Sequence, residues 1–209
     1  LAIGLSLGFI ACSDSSKSGG MIDKSAAANK VYVAPGEYDE FYAFLSGGFS
    51  GHVSVYGLPS GRLLKVMPVF SQNPENAYGY SEETKSLLNT SFGFNPWGDA
   101  HHPKLSQTDG MADGRWLFIN ENNTPRIARL NLKTFETDEI IEIPNSSGNH
   151  GSPYLTENTE YVVASTRLSV PIPNQDVAIN TFKENFKGTI SFVKVDKTSG
   201  NMDVAFQIL

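Results

Sequence analysis

The chain has 209 residues, room for one large domain or two small ones. Sixteen Lys and Arg against 22 Asp and Glu leave a net charge of −6 with no basic cluster, which excludes a nucleic-acid footprint. Apolar residues at 40% can build a core and exclude global disorder, while 19 Gly and 11 Pro favour short strands and tight turns over helices.

Residues 1–11 (LAIGLSLGFIA) form an uncharged apolar run, too short to cross a bilayer as a helix, followed by Cys12 and a polar tract, SDSSKSGG. The run has the length of an export signal and opens on Leu, so a truncated signal and an N-terminal fragment are expected. Phe9-Ile10-Ala11-Cys12 resembles a bacterial lipobox, in which the cysteine becomes the lipidated first residue of the mature protein; an ordinary cleaved signal is the alternative. Both imply a periplasmic location, with segment 1–12 as signal, 13–30 as flexible tether and 31–209 as the folded part. Cys12 is the sole cysteine, so no intrachain disulfide is possible.

Candidate strands follow at 40–46, 52–56, 63–69, 115–120, 126–130, 139–143, 160–165, 189–196 and 204–209, separated by clusters of Gly, Asn, Asp, Ser and Pro. The one helical stretch is 81–88, where Ser81 reads as an N-cap. Segment 41–70 overlies 115–144, about 74 positions on, strand for strand and turn for turn. A third copy runs from 161–165 to 188–209, with an insertion between. An all-β fold is expected, with each copy a blade of a partial β-propeller. About three blades cannot close a ring, and the sequence stops in mid-strand, so C-terminal truncation is expected as well. An open β-sandwich is the competing architecture.

The chemistry gathers in the histidines. His101 and His102 lie in Trp97-Gly98-Asp99-Ala100-His101-His102-Pro103, before the first strand of the second copy. His150 lies in Ser147-Gly148-Asn149-His150-Gly151, before the first strand of the third. Equivalent segments of successive blades meet at one end of the propeller axis, so three imidazoles are expected to converge there. His52, inside the alternating strand HVSVY, is read as a surface or strand-packing residue. A cluster of imidazoles without carboxylates suits copper, zinc, iron or nickel rather than a hard cation. Adjacent residues on extended backbone point to opposite sides, so the pair is expected to grip two metals more easily than one. Asp99 could orient a ligand ring through its second nitrogen, or serve as a turn residue.

These motifs, with Asp113-Gly114-Arg115-Trp116-Leu117-Phe118-Ile119-Asn120, Arg126-Ile127-Ala128-Arg129 and Ile143-Pro144-Asn145, resemble the N-terminal part of nitrous-oxide reductase over most of 31–209. The resemblance implies a seven-bladed propeller holding a tetranuclear copper–sulfide centre, followed by a C-terminal cupredoxin domain with a binuclear copper centre. It makes His101, His102 and His150 copper ligands and catalytic-site residues. The other four cluster histidines, the cupredoxin domain and the calcium ligands are then expected beyond Leu209. It also implies a homodimer, a cytochrome c or cupredoxin electron donor, and reduction of nitrous oxide to dinitrogen and water, the last step of denitrification; the fragment alone is expected to be inactive. Pro103 after the pair resembles the branch exported by the general secretory route.

Two other classes fit the same residues. An exported binding propeller, without redox activity, would carry the histidines incidentally. A mononuclear zinc or iron hydrolase would add a carboxylate, for which Asp109 and Asp113 (TDGMADG) are the candidates, although Asp-Gly pairs are foremost turn chemistry.

Overall fold

A computed structural model describes residues 24–209 except 152 and 174. The signal expected over 1–12, with Cys12, lies outside the described residues, as does the tether up to residue 23. The rest of that tether forms a short helix, α1 (Lys24–Val31). No helix among the described residues is long and apolar enough to cross a membrane.

Alternating apolar residues and glycine-centred turns produce three successive antiparallel sheets. The first comprises β1 (Phe41–Ser46), β2 (His52–Leu58) and β3 (Leu63–Pro68). In β2, Val53 and Val55 are fully buried while their neighbours are half-buried, the two-residue period of a strand with one covered face. The excursion that follows holds α2 (Glu82–Lys85) and a two-residue hairpin, β4 (Asn89–Thr90) with β5 (Gly93–Phe94). Ser81 caps α2 as expected, its Oγ accepting from the Thr84 amide at 3.3 Å.

The second sheet has four strands: β6 (Ala100–Thr108), β7 (Met111–Glu121), β8 (Arg126–Asn131) and β9 (Glu136–Glu142). The third begins with β10 (Tyr154–Leu155) and β11 (Tyr161–Ser165). It then detours through a ribbon of β12 (Val170–Pro171) and β13 (Phe186–Lys187) with α3 (Phe182–Asn185), and returns as β14 (Ile190–Val195) and β15 (Met202–Ile208). The strand order in this sheet is β10-β11-β14-β15. The all-β expectation holds, and the strands expected from the sequence are present with shifted ends. The main departure is β6, a nine-residue strand over a stretch that holds none of the candidate strands.

The second sheet is buried on both faces, and β7 shows why. Leu117 and Ile119 pack with Val53, Val55 and Met67 of the first sheet, while Trp116 and Phe118 pack with Val162, Ala164 and Val193 of the third. The uninterrupted run Trp116-Leu117-Phe118-Ile119 is the signature of a strand covered on both sides. Each such side chain taken from water contributes roughly 1.5–3 kcal/mol, enough for these two layers to fix where the ends of β6 and β7 lie.

Candidate metal centre

The histidine pair is part of β6 itself. There Ala100 stands opposite Glu121 and His101 opposite Asn120 on β7, and the ladder slips between His101 and Lys104. Ala100 is tied from the other side, by a bridge to Gly48 in the β1–β2 turn. At His102 the backbone enters the left-handed region, with φ of 52°. That turn breaks the alternation expected to send adjacent rings apart. The rings of His101 and His102 converge instead, with centroids 5.7 Å apart, correcting the expectation that the pair would straddle its strand.

His150 arrives on the connection between β9 and β10. The connection is sewn to the end of β7 and to the segment after β11: Asn149 N donates to Glu121 O at 2.9 Å, and Arg167 N donates to Gly148 O at 3.0 Å. Gly148 has φ of 80°, and a side chain there would come within 2.3 Å of the Asn122 carbonyl, so only glycine lets the connection lie this close. The result brings the His150 ring 4.7 Å from that of His101 and 5.0 Å from that of His102, centroid to centroid. One ring nitrogen from each of the three lies within 4.8 Å of the others. The convergence expected from the repeat is therefore found, although 48 positions separate His102 from His150. His52 is not in this group; it stays on β2 with Nε2 3.4 Å from Ser50 Oγ.

Asp99, 1% exposed, lies beside His101. Its Oδ2 accepts from Asn122 Nδ2 at 3.0 Å. Its Oδ1 stands 2.8 Å from His101 Nε2, but the ring is turned so that no aligned N–H bond reaches the oxygen, which is left without a directed donor. Partial desolvation, then the neighbouring imidazoles of His150 and His101, hold the His102 pKa below its ordinary value. The neutral ring, with a lone pair free, is the form a metal needs. Three nitrogens on one tetrahedral first-row ion, with bonds of about 2 Å, would lie roughly 3.3 Å apart. The observed spread leaves room for a group larger than a single ion, and the residue chemistry fits a transition metal.

The acidic alternatives are placed elsewhere. Asp109, with φ of 51°, sits in the β6–β7 turn. Asp113 braces that hairpin, its carboxylate accepting from Ser106, Thr108 and Arg115. Sequence reasoning missed a set of buried polar residues around the triad: Asn120 and Asn149, both wholly buried, and an ion pair in which Arg126 Nε lies 2.5 Å from Glu121 Oε2. Their one visible sign is Asn120 itself, an amide closing the apolar run that begins at Trp116.

Fold and site together define an all-β protein of stacked antiparallel sheets carrying a three-imidazole group with the geometry of metal ligands. No family model matches the chain. The nitrous-oxide reductase of Pseudomonas fluorescens is 37% identical over 188 residues, covering 88% of this chain and 28% of that protein. That of Stutzerimonas stutzeri is 35% identical over 181 residues, covering 86% and 28% respectively. The chain belongs to the nitrous-oxide reductase family, and spans just over a quarter of the length of these curated relatives. Among solved structures, the Kuenenia stuttgartiensis hydrazine synthase matches with a TM-score of 0.50 at 13% identity, covering 78% of this chain and 37% of that one, a likeness of fold alone.

Proposed function

We propose that this chain provides part of a copper site at which nitrous oxide is reduced to dinitrogen and water. The observation that carries the proposal is the meeting of His101, His102 and His150, from β6 and the β9–β10 connection, with ring nitrogens within 4.8 Å, in a member of this family. The three sheets are then the first blades of a seven-bladed propeller. The remaining cluster histidines, the calcium ligands and the cupredoxin domain with its binuclear copper belong to the rest of a homodimeric protein, fed by a cytochrome c or cupredoxin. The apolar run before Cys12 supports export, with lipidated Cys12 as the anchor to the periplasmic face of the membrane.

Nitrous oxide is a weak ligand, and breaking its N–O bond takes two electrons and two protons. A bound multicopper centre supplies the stored electrons and the Lewis-acid contact. The chain's residues set geometry. His101, His102 and His150 offer uncharged nitrogen donors, which add no negative charge to resist reduction. Asp99, anchored by Asn122, sets Oδ1 2.8 Å from His101 Nε2, close enough to orient the ring once its N–H turns toward the oxygen.

In the full-length enzyme, His101→Ala, His102→Ala and His150→Ala should each lower copper at the cluster and abolish nitrous-oxide reduction, while the binuclear centre keeps its spectrum. His52→Ala should change neither. Normal copper and turnover in the His102→Ala enzyme would overturn the proposal.

A further inference from the structure

Arg62, Arg115, Arg126 and Arg129 each pair directly with a carboxylate. Among the described residues Arg167, in the segment after β11, does not; its Nη1 donates instead to Asn122 Oδ1 at 2.9 Å. The Asn122 amide passes the contact on. Its Nδ2 donates to Asp99 Oδ2 at 3.0 Å, and its backbone N donates to Asp99 O at 2.9 Å. A donor on one side and a carboxylate on the other leave that amide one orientation, oxygen toward Arg167 and nitrogen toward Asp99. The cation at one end polarises the amide and strengthens its hold on the carboxylate at the other.

The same arginine also holds the second histidine segment. Its backbone N donates to Gly148 O, two residues before His150, and Gly148 itself lies against the Asn122 carbonyl. Between these anchors Asn149 N donates to the carbonyl of Glu121, the residue before Asn122. The approach to His150 is thereby fixed between the end of β7 and Arg167, while Asn122 grips Asp99 at two points. The chain of contacts runs from an exposed guanidinium to a buried carboxylate whose Oδ1 stands 2.8 Å from His101 Nε2. A ring restrained through Nε2 keeps Nδ1 for a metal, so this contact and metal binding are compatible.

We propose that Arg167 and Asn122 are positioning residues for the imidazole triad and act in series. Arg167 aligns the Asn122 amide, Asn122 holds Asp99, and Asp99 sets the ring of His101, while the Arg167 backbone keeps the His150 segment in place opposite. The third sheet thus controls, through one side chain, the ring of a histidine that belongs to the second. Without the guanidinium the Asn122 amide is free to turn, Asp99 loses a directed donor, and the His101 ring gains freedom. The inference rests on the assignment of the triad as a copper site.

The test uses the full-length, copper-loaded enzyme. Arg167→Met keeps the stem and the backbone N–H to Gly148 but removes the guanidinium; Asn122→Leu removes both amide atoms at similar size. Each should release cluster copper to a chelator about ten-fold faster, the usual scale for losing an outer partner of a metal-bound histidine. Each should also shift the cluster's visible absorption and lower kcat, with KM and the binuclear centre's spectrum unchanged. Because the two residues act in series, the double variant should be no worse than Asn122→Leu alone. Unchanged copper release and absorption in both single variants would overturn the proposal, and so would effects that add in the double variant. Should either variant fail to fold, a crystal structure of the unaltered full-length enzyme decides. Arg167 and Asp99 both bonded to the Asn122 side chain, with Asp99 within about 3.2 Å of a His101 ring nitrogen, supports the chain of contacts; an Arg167 turned away from Asn122 overturns it. Failure of the copper-site assignment is distinguishable, because it shows as retained copper and turnover in the His102→Ala enzyme.

Discussion

The left-handed backbone at His102 is a one-residue feature with a large effect on the site, since it turns two neighbouring imidazoles toward one place. The histidines could be found in the sequence because residue type and their position ahead of repeated strands mark them. Their convergence at the pair could not, because nothing in a non-glycine residue advertises a positive φ. Asn149 is illegible for another reason: an amide carries no charge signal, and only the folded structure shows that it is wholly buried. Asp113 offers a test at the same scale. Burial pushes its pKa up, but hydrogen bonds from Arg115, Ser106 and Thr108 outweigh this and hold it at about 2. The native carboxylate is therefore favoured over the unfolded one, and the stabilisation, at most about 2 kcal/mol, is complete above pH 4 and lost as pH falls toward 2. Asp113→Asn should lower stability at neutral pH and flatten the acid limb between pH 4 and 2, as measured by urea unfolding across that range.

Among the elements, β6 departs most from the sequence expectation. Its residues, AHHPKLSQT, include a proline and few β-branched side chains, and its ladder with β7 slips twice, between His101 and Lys104 and again between Leu105 and Gln107. A strand so interrupted shows no clean two-residue period. The strands that were legible, such as β2 and β7, have unbroken alternation or an apolar run buried on both faces. What holds β6 in register is partly Ser106, wholly buried, whose Oγ accepts from Trp116 N at 2.9 Å while donating to Asp113. Ser106→Ala nearly keeps the volume but strands the Trp116 amide and removes a donor from Asp113. A loss of about 1–3 kcal/mol is expected in chemical denaturation. Asp113→Asn and Ser106→Ala should combine non-additively, because they share a bond.

Taken as a whole, the molecule is closed in its middle and open on its flanks. The second sheet is covered on both faces, whereas the first and third sheets expose Phe41, Tyr42 and Leu45 on β1, and Ile190, Phe206 and Ile208 on β14 and β15. Phe192 and Phe206 stack at 4.4 Å on the latter flank. Apolar area of this kind in water drives association. Residues 31–209 expressed alone should self-associate in a concentration-dependent way, seen by light scattering, and a strictly monomeric chain at high concentration would contradict this.

The three sheets also follow one another along the chain, and nearly every strand pairs with its immediate neighbour in sequence. Local pairing of this kind allows each sheet to form as soon as its own strands are available, without waiting for distant segments. A chain threaded across a membrane from its N-terminus would therefore finish the first two sheets, with His101 and His102 already in place, before the third emerges. The triad has one member on the far side of the second inter-sheet junction, and so exists only after that junction closes. Any metal held by all three rings would then be captured late in folding, and would bridge the two sheets and make their docking harder to reverse.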